Sequence, residues 1–220
     1  MSNPKRHHFV PKAYLMGFTE PDSQFLNVYS RRSGLWRRQR PDHVMVRNKY
    51  YRQDWAPDGV DPNILEKRLG HRVEPDGLAA LRKLAESPES LTDFDSANIV
   101  NYLELQRIRV PRQADMVKEL LKTHLTSHLL GTSQGRAVIR AGEITIKDSF
   151  RLEFMRLVAG RMLPYITRMT WEIFRAADDL NFITSDSPVT FLNKDFPSPT
   201  EPGVALFGTV IIFPINSSIC

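Results

Sequence analysis

A proline at position 188 sets the tightest local constraint on this chain. The β-prone run Phe182-Ile183-Thr184 is cut off by Ser185-Asp186-Ser187-Pro188, and a second apolar run, 189–192, follows. Proline has no N–H and a fixed φ, so a central ladder cannot pass through it. Ser185 and Asp186 must therefore stand at a strand end. There they either satisfy the backbone of their own turn or face a pocket that the sheet holds rigid. Other prolines punctuate the rest of the chain. Pro11 is placed to begin a short helix over Tyr14, Leu15 and Phe18, and Pro62 takes a first helical position behind Asp61. Pro111 stops the helix that precedes it.

Between these stops the periodicity alternates between two and 3.6. Residues 25–29 and 35–40 read as a β-hairpin around Arg31-Arg32-Ser33-Gly34, and 44–51 adds a strand. Asp61 caps a helix that Gly70 terminates, and 78–85 is a second amphipathic helix. Thr92 caps a longer helix running to Val110, and 115–130 is another, ended by Gly131. Residues 133–142 are small and polar, the composition of a connector. Ser149 caps a further helix, which Pro164 kinks or breaks. From Thr170 the period changes: 171–175 and 182–184 read as two antiparallel strands joined by a turn, with a last strand at 210–213. The expectation is a single α+β domain over 1–220. An N-terminal hairpin and a C-terminal antiparallel or mixed sheet pack against a central helical layer, about 61–169.

Charge and composition narrow the function classes. No apolar run approaches the roughly 20 residues that span a bilayer, so no membrane partner is expected. The opening Met-Ser-Asn-Pro-Lys-Arg leads into no apolar signal segment, which points to the cytoplasm. One cysteine, Cys220, excludes an internal disulfide and a cysteine-rich metal site. A net charge of +5 permits nucleic acid or another polyanion as partner. Much of that excess is local. Arg31, Arg32, Arg37, Arg38 and Arg40 form a candidate nucleic-acid-binding patch, or equally a sheet edge guarded by charge.

Candidate chemistry is spread along the chain. His7 and His8 precede the first expected helix, where its electropositive end favours a neutral imidazole, suited to a metal ligand or a general base. A solvent-exposed, inert His pair is the competing reading. Glu66 lies off the apolar stripe of its helix. Gln106 and Arg109, three apart, share a helix face and can bind an oxyanion, hold a carboxylate, or simply be a surface pair. His124 and His128 are four apart but have no adjacent glutamate to complete a zinc-protease pattern, so they read as helix-surface residues.

Taken together, His7-His8-Phe9-Val10-Pro11 with Tyr14, Leu15 and Phe18, then 64–66, then Gln106, Arg109 and Pro111 form an ordered series. It continues through Thr184-Ser185-Asp186-Ser187-Pro188-Val189 and Phe213-Pro214-Ile215. This series resembles domain-of-unknown-function family 4238. The family pattern continues past its Phe-Pro segment, so the resemblance implies that a C-terminal piece of it is lacking here. It also implies that His7, His8, Glu66, Gln106, Arg109 and Asp186 be tested as one catalytic site.

The function expected from this set is a metal-dependent hydrolase acting on nucleic acid or another phosphodiester. Asp186, Glu66 and one histidine, His8 foremost, would hold magnesium or manganese or activate water, while Arg109, steadied by Gln106, stabilises negative charge. The alternatives are a non-catalytic module that binds nucleic acid or another anion, or an accessory component of a defence or toxin system.

Overall fold

The computed structural model describes residues 6–20, 22–53, 56–142, 146, 149–196 and 201–220. The chain is α+β. Its strands come as antiparallel pairs. β1 (Arg6–His8) pairs with β4 (Val46–Asn48), and β2 (Leu26–Ser30) pairs with β3 (Leu35–Gln39) as the expected hairpin. Gly34 closes that hairpin at φ 66°, in the left-handed region that glycine tolerates without strain. β5 (Thr190–Leu192) pairs with β6 (Val210–Ile212).

Among the described residues these pairs stay separate two-stranded ladders and do not join into one larger sheet. The hairpin expected across 171–184 does not pair with itself. Its backbone is claimed by the 217–220 stretch instead. Phe174 exchanges both hydrogen bonds with Cys220, Ala176 N–H donates to the Ser218 carbonyl, and Phe182 N–H donates to that of Ser217.

The helical layer begins with α1 (Lys12–Leu15), started by Pro11, whose carbonyl accepts from Tyr14 and Leu15. α2 (Ile64–Arg68) does not end at Gly70 as expected. It runs through a π turn, Leu69–Val73, straight into α3 (Glu74–Glu86). α4 (Asp93–Ile108) opens on a full capping box. The Thr92 hydroxyl accepts from Asp95 N–H, and the Asp95 carboxylate accepts from Thr92 N–H.

Pro111 both ends that helix and starts α5 (Pro111–Leu130), whose first turn therefore begins earlier than the apolar pattern suggested. The polar connector expected at 133–142 is a helix, α6 (Ser133–Ala141), because Thr132 caps it through Gly135 N–H. α7 (Phe150–Val158) breaks ahead of Pro164, at Gly160 (φ 84°), and α8 (Leu163–Ile166) follows. Glu104, buried on α4, holds that break: its two carboxylate oxygens accept from Gly160 and Met162 N–H, both at 2.6 Å.

The core lies where α3 and α4 cross the N-terminal arm. Leu78 and Leu81 of α3 meet Ile99, Tyr102 and Leu103 of α4, with Phe9, Val10, Tyr14 and Leu15 above them. Gly77 makes the helix crossing possible, since a Cβ there would lie 2.6 Å from Tyr102 Cβ. Helix propensity favours alanine by roughly 1 kcal/mol, but overpacking a filled core costs about 1–3 kcal/mol. Gly77→Ala is therefore expected to lower stability and to shift Tm down by several degrees. A Tm equal to or above wild type in a thermal melt would show that the α3–α4 crossing can open to admit a methyl group.

Candidate functional site

The proposed residues divide into a buried bracket, a cleft and a turn. The bracket is built on Arg109, at the C-terminal end of α4 and 1% exposed. Its Nε and Nη2 donate to Gln106 Oε1 at 3.0 and 2.6 Å, and its Nη1 donates to Glu74 Oε1 at 2.7 Å. Gln106 Nε2 in turn donates to the Phe9 carbonyl at 3.1 Å, and Tyr50 OH donates to the Arg109 carbonyl at 3.0 Å. Burial opposes the guanidinium charge, but the oxygens of Tyr51, Glu74 and Tyr102 around it more than offset that and hold its pKa above the ordinary value. The i, i+3 spacing of Gln106 and Arg109 thus holds a carboxylate and ties down the N-terminal arm. A side chain this buried does not reach a substrate, so the charge-stabilising role expected of Arg109 is replaced by a positioning one.

His7 belongs to the same interior. It is fully buried on β1, its Nδ1 accepts from Tyr51 N–H at 2.9 Å, and its ring stacks on Tyr51 with centroids 5.8 Å apart. Strand alternation sends His8 the other way. His8 is half-buried and opens on a cleft of about 460 Å³ lined by His8, Lys12, Ala13, Met16, Glu66 and Glu74. β1 holds both histidines just ahead of α1, and His8 shares the cleft with Lys12 and Ala13, the first residues of that helix. His8 Nε2 donates to the Pro41 carbonyl at 3.3 Å, which leaves Nδ1 as the basic nitrogen of the neutral ring. Burial lowers the His8 pKa below the usual imidazole value, against the opposing pull of the Pro41 bond and of Glu74.

Glu66, half-buried across the cleft, moves in the opposite direction. Burial and then the Glu74 carboxylate push it up to about 7, with Arg109 opposing. Glu74 and Lys12 were missed by sequence reasoning. In an unbroken α-helix residues 66 and 74 would lie about 80° apart around the axis. The wider π turn between them takes up that offset and brings both acids to one cleft. Glycine inside a continuous helical pattern was the available signal.

Asp186 is exposed and does not line the cleft. Its turn is held by Ser185 Oγ, which accepts from Ser187 N–H at 3.1 Å. Two residues earlier, Thr184 Oγ1 meets Tyr14 OH at 2.8 Å, and that hydroxyl donates to the Pro214 carbonyl. Tyr14 lies on the side of α1 opposite Lys12, Ala13 and Met16, so α1 stands between this turn and the cleft. Among the described residues no group of three His, Cys, Asp or Glu side chains is placed to hold a metal ion. The expected metal set of His8, Glu66 and Asp186 therefore does not assemble.

The arginine hairpin divides too. Arg38 is ion-paired with Glu20 and lies over the Phe25 ring at 4.5 Å, and Arg40 pairs with Asp42. Arg31, Arg32 and Arg37 are exposed, with no carboxylate partner among the described residues. No helix among those residues is long and apolar enough to cross a membrane. His124 and His128 are exposed on α5, as read from their spacing.

Two outcomes follow from this division. Arg109→Met leaves Glu74 and Gln106 without their partner and should cost about 3–5 kcal/mol, whereas Asp186→Asn, at an exposed turn, should stay within about 0.5 kcal/mol. Urea denaturation of the two variants checks this, and equal losses would contradict the division.

The second concerns pH. The folded state holds the Glu66 proton up to about 7, whereas an unfolded chain releases it near 4.5. Between those values the native state binds more protons, so this group's contribution to stability falls as pH rises through the window. Relative to wild type, Glu66→Gln should gain Tm from pH 5 to pH 8. Parallel Tm–pH curves for the two proteins would place Glu66 in an ordinary solvated setting.

No curated protein and no solved structure matches the chain. A family model does match, over residues 6–220 and so over nearly the whole length, with the description "protein of unknown function". The series of motifs from His7 to Ile215 thus has its explanation in descent: the chain belongs to the DUF4238 family.

Proposed function

We propose that the protein is a hydrolase of nucleic acid phosphodiesters, that the cleft over α1 is its reaction centre, and that its substrate is RNA. The observation that carries this reading is the opposed pair in the cleft. His8 has its pKa lowered and is neutral near pH 7, where Glu66, raised to about 7, still carries its proton in a good part of the molecules. Two titratable groups pushed apart in this way are a matched base and acid. Since His8, Glu66 and Asp186 do not converge, no step is assigned to magnesium or manganese. Acid–base chemistry on a phosphodiester is easiest with an internal nucleophile, which the ribose 2′-hydroxyl supplies.

In the first step His8 Nδ1 takes the 2′-hydroxyl proton as the 2′-oxygen bonds to phosphorus. The bond from phosphorus to the 5′-oxygen breaks, and Glu66 gives its proton to that leaving oxygen. In the second step the Glu66 carboxylate takes a proton from water as the water oxygen bonds to phosphorus. The bond to the 2′-oxygen breaks, and the imidazolium returns its proton there. Lys12, exposed at the cleft, is the cation for the phosphoryl charge. Glu74, ion-paired with Arg109, positions this chemistry by keeping the Glu66 proton on. The exposed arginines of the β2–β3 hairpin draw in the backbone electrostatically.

A second reading is favoured by the burial of the Gln106–Arg109–Glu74 bracket: a non-catalytic nucleic-acid-binding module in which these groups only lock the arm. One assay separates the two. An oligodeoxynucleotide carrying a single ribonucleotide should be cut at that ribonucleotide in the presence of EDTA, with a bell-shaped pH profile peaking below about 7. Glu66→Gln should lose roughly 10²–10⁴-fold in turnover, the usual scale of general acid–base catalysis. Binding without cleavage by wild type would establish the module instead, and cleavage of the all-DNA strand only with added metal would overturn the acid–base mechanism.

A further inference from the structure

The outer face of the β2–β3 hairpin carries an apolar feature that its charge does not explain. Strand alternation puts Asn27 and Tyr29 of β2 with Trp36 and Arg38 of β3 on one face, and Leu26, Val28 and Arg37 on the other. Leu26 is buried, so its face is the inner one and the first set looks outward. Tyr29 and Trp36 are direct cross-strand partners. Their ring centroids lie 5.1 Å apart, tilted by 43°, and the side chains are 49% and 70% exposed. An exposed indole and phenol held together in this way are not serving the core.

Their surroundings are cationic. Arg31 and Arg32 stand in the adjoining turn, both exposed and without a carboxylate partner among the described residues, while Arg37 lies on the opposite face of β3. Aromatic faces flanked by unneutralised guanidinium groups match one ligand chemistry well. Bases stack on the rings while the phosphates between them meet the arginines. Duplex bases are already stacked on one another and cannot offer their faces. The backbone also links this face to the cleft: β3 ends at Gln39, and two residues on, the Pro41 carbonyl accepts from His8. Trp36 to Pro41 is five residues, at most about 18 Å of extended chain.

We infer that the Tyr29–Trp36 pair is a stacking platform for single-stranded nucleic acid, with Arg31 and Arg32 as its phosphate contacts. It deepens the phosphodiesterase reading by naming the substrate as single-stranded, and it stands on binding alone, independent of turnover.

The test is equilibrium binding of fluorescein-labelled oligouridylate and oligothymidylate, and of a duplex of equal length, to the full chain. Wild type should bind both single strands at least tenfold more tightly than the duplex. Trp36→Ala should lose about 5- to 100-fold on the single strands, the range for one stacked base, with little change on the duplex. Trp36→Phe should recover most of that loss, and both variants are expected to melt with wild type because the side chain is exposed. Arg31→Glu with Arg32→Glu should weaken single-strand and duplex binding alike and flatten the salt dependence. Equal affinity for single strand and duplex, unmoved by Trp36→Ala, would overturn the platform and leave a purely electrostatic patch. No nucleic-acid binding at all, with a dimer in sedimentation that Trp36→Ala dissolves, would overturn it in favour of a self-association face. Failure of the cleft chemistry is read separately, since oligothymidylate has no 2′-hydroxyl and its binding does not depend on whether wild type cleaves RNA.

Discussion

The structure depends on the buried ion pair between Arg109 and Glu74. A guanidinium in the interior is costly unless its donors are matched and an anion stands beside it. Here the matching groups come from three places far apart in sequence: Gln106 on the same helix, Glu74 across the α3–α4 crossing, and through Gln106 the Phe9 carbonyl of the N-terminal arm. One charge therefore sets where the arm lies, and so which way β1 turns its two histidines. It also leaves a carboxylate fixed at the rim of the cleft, where its field reaches Glu66. Position and proton affinity at the candidate site have a common origin in this pair.

Most of the helical layer was legible because its signals are local. Thr92 as a cap, Pro111 as a stop and the hairpin glycine Gly34 each act through their own few residues, and the structure uses them in those roles. What escaped was decided between distant segments. Residues 171–175 and 182–184 have strand-like composition, but no local rule says that 217–220 competes for their backbone. Glu104 looked like any helical acid, yet it takes two amides at the α7–α8 break, 56 and 58 residues away. A polar residue's spacing tells which side of its helix it occupies and nothing about what waits there.

The candidate site shows the same limit more sharply. The residues that the family pattern groups do come from neighbouring elements, but they serve three separate jobs. His7, Gln106 and Arg109 are interior, His8 and Glu66 face the cleft, and Asp186 sits at an exposed turn beyond α1. Adjacent histidines in a strand must point apart, so His7-His8 could never have been one two-handed ligand once β1 formed. Glu74 and Lys12, absent from that group, complete the cleft.

The π turn between α2 and α3 stores the relation of Glu66 to Glu74 in the length of the backbone. A Cβ at Gly70 would meet nothing nearby, so a side chain placed there leaves the relation intact. Changing the chain length by one residue does not: it rewinds the turn and rotates one carboxylate away from the other by a good fraction of a circle. For this cleft the unit of inheritance is therefore a residue count, and a lineage can switch the coupling of its two acids on or off by a single codon's insertion or loss.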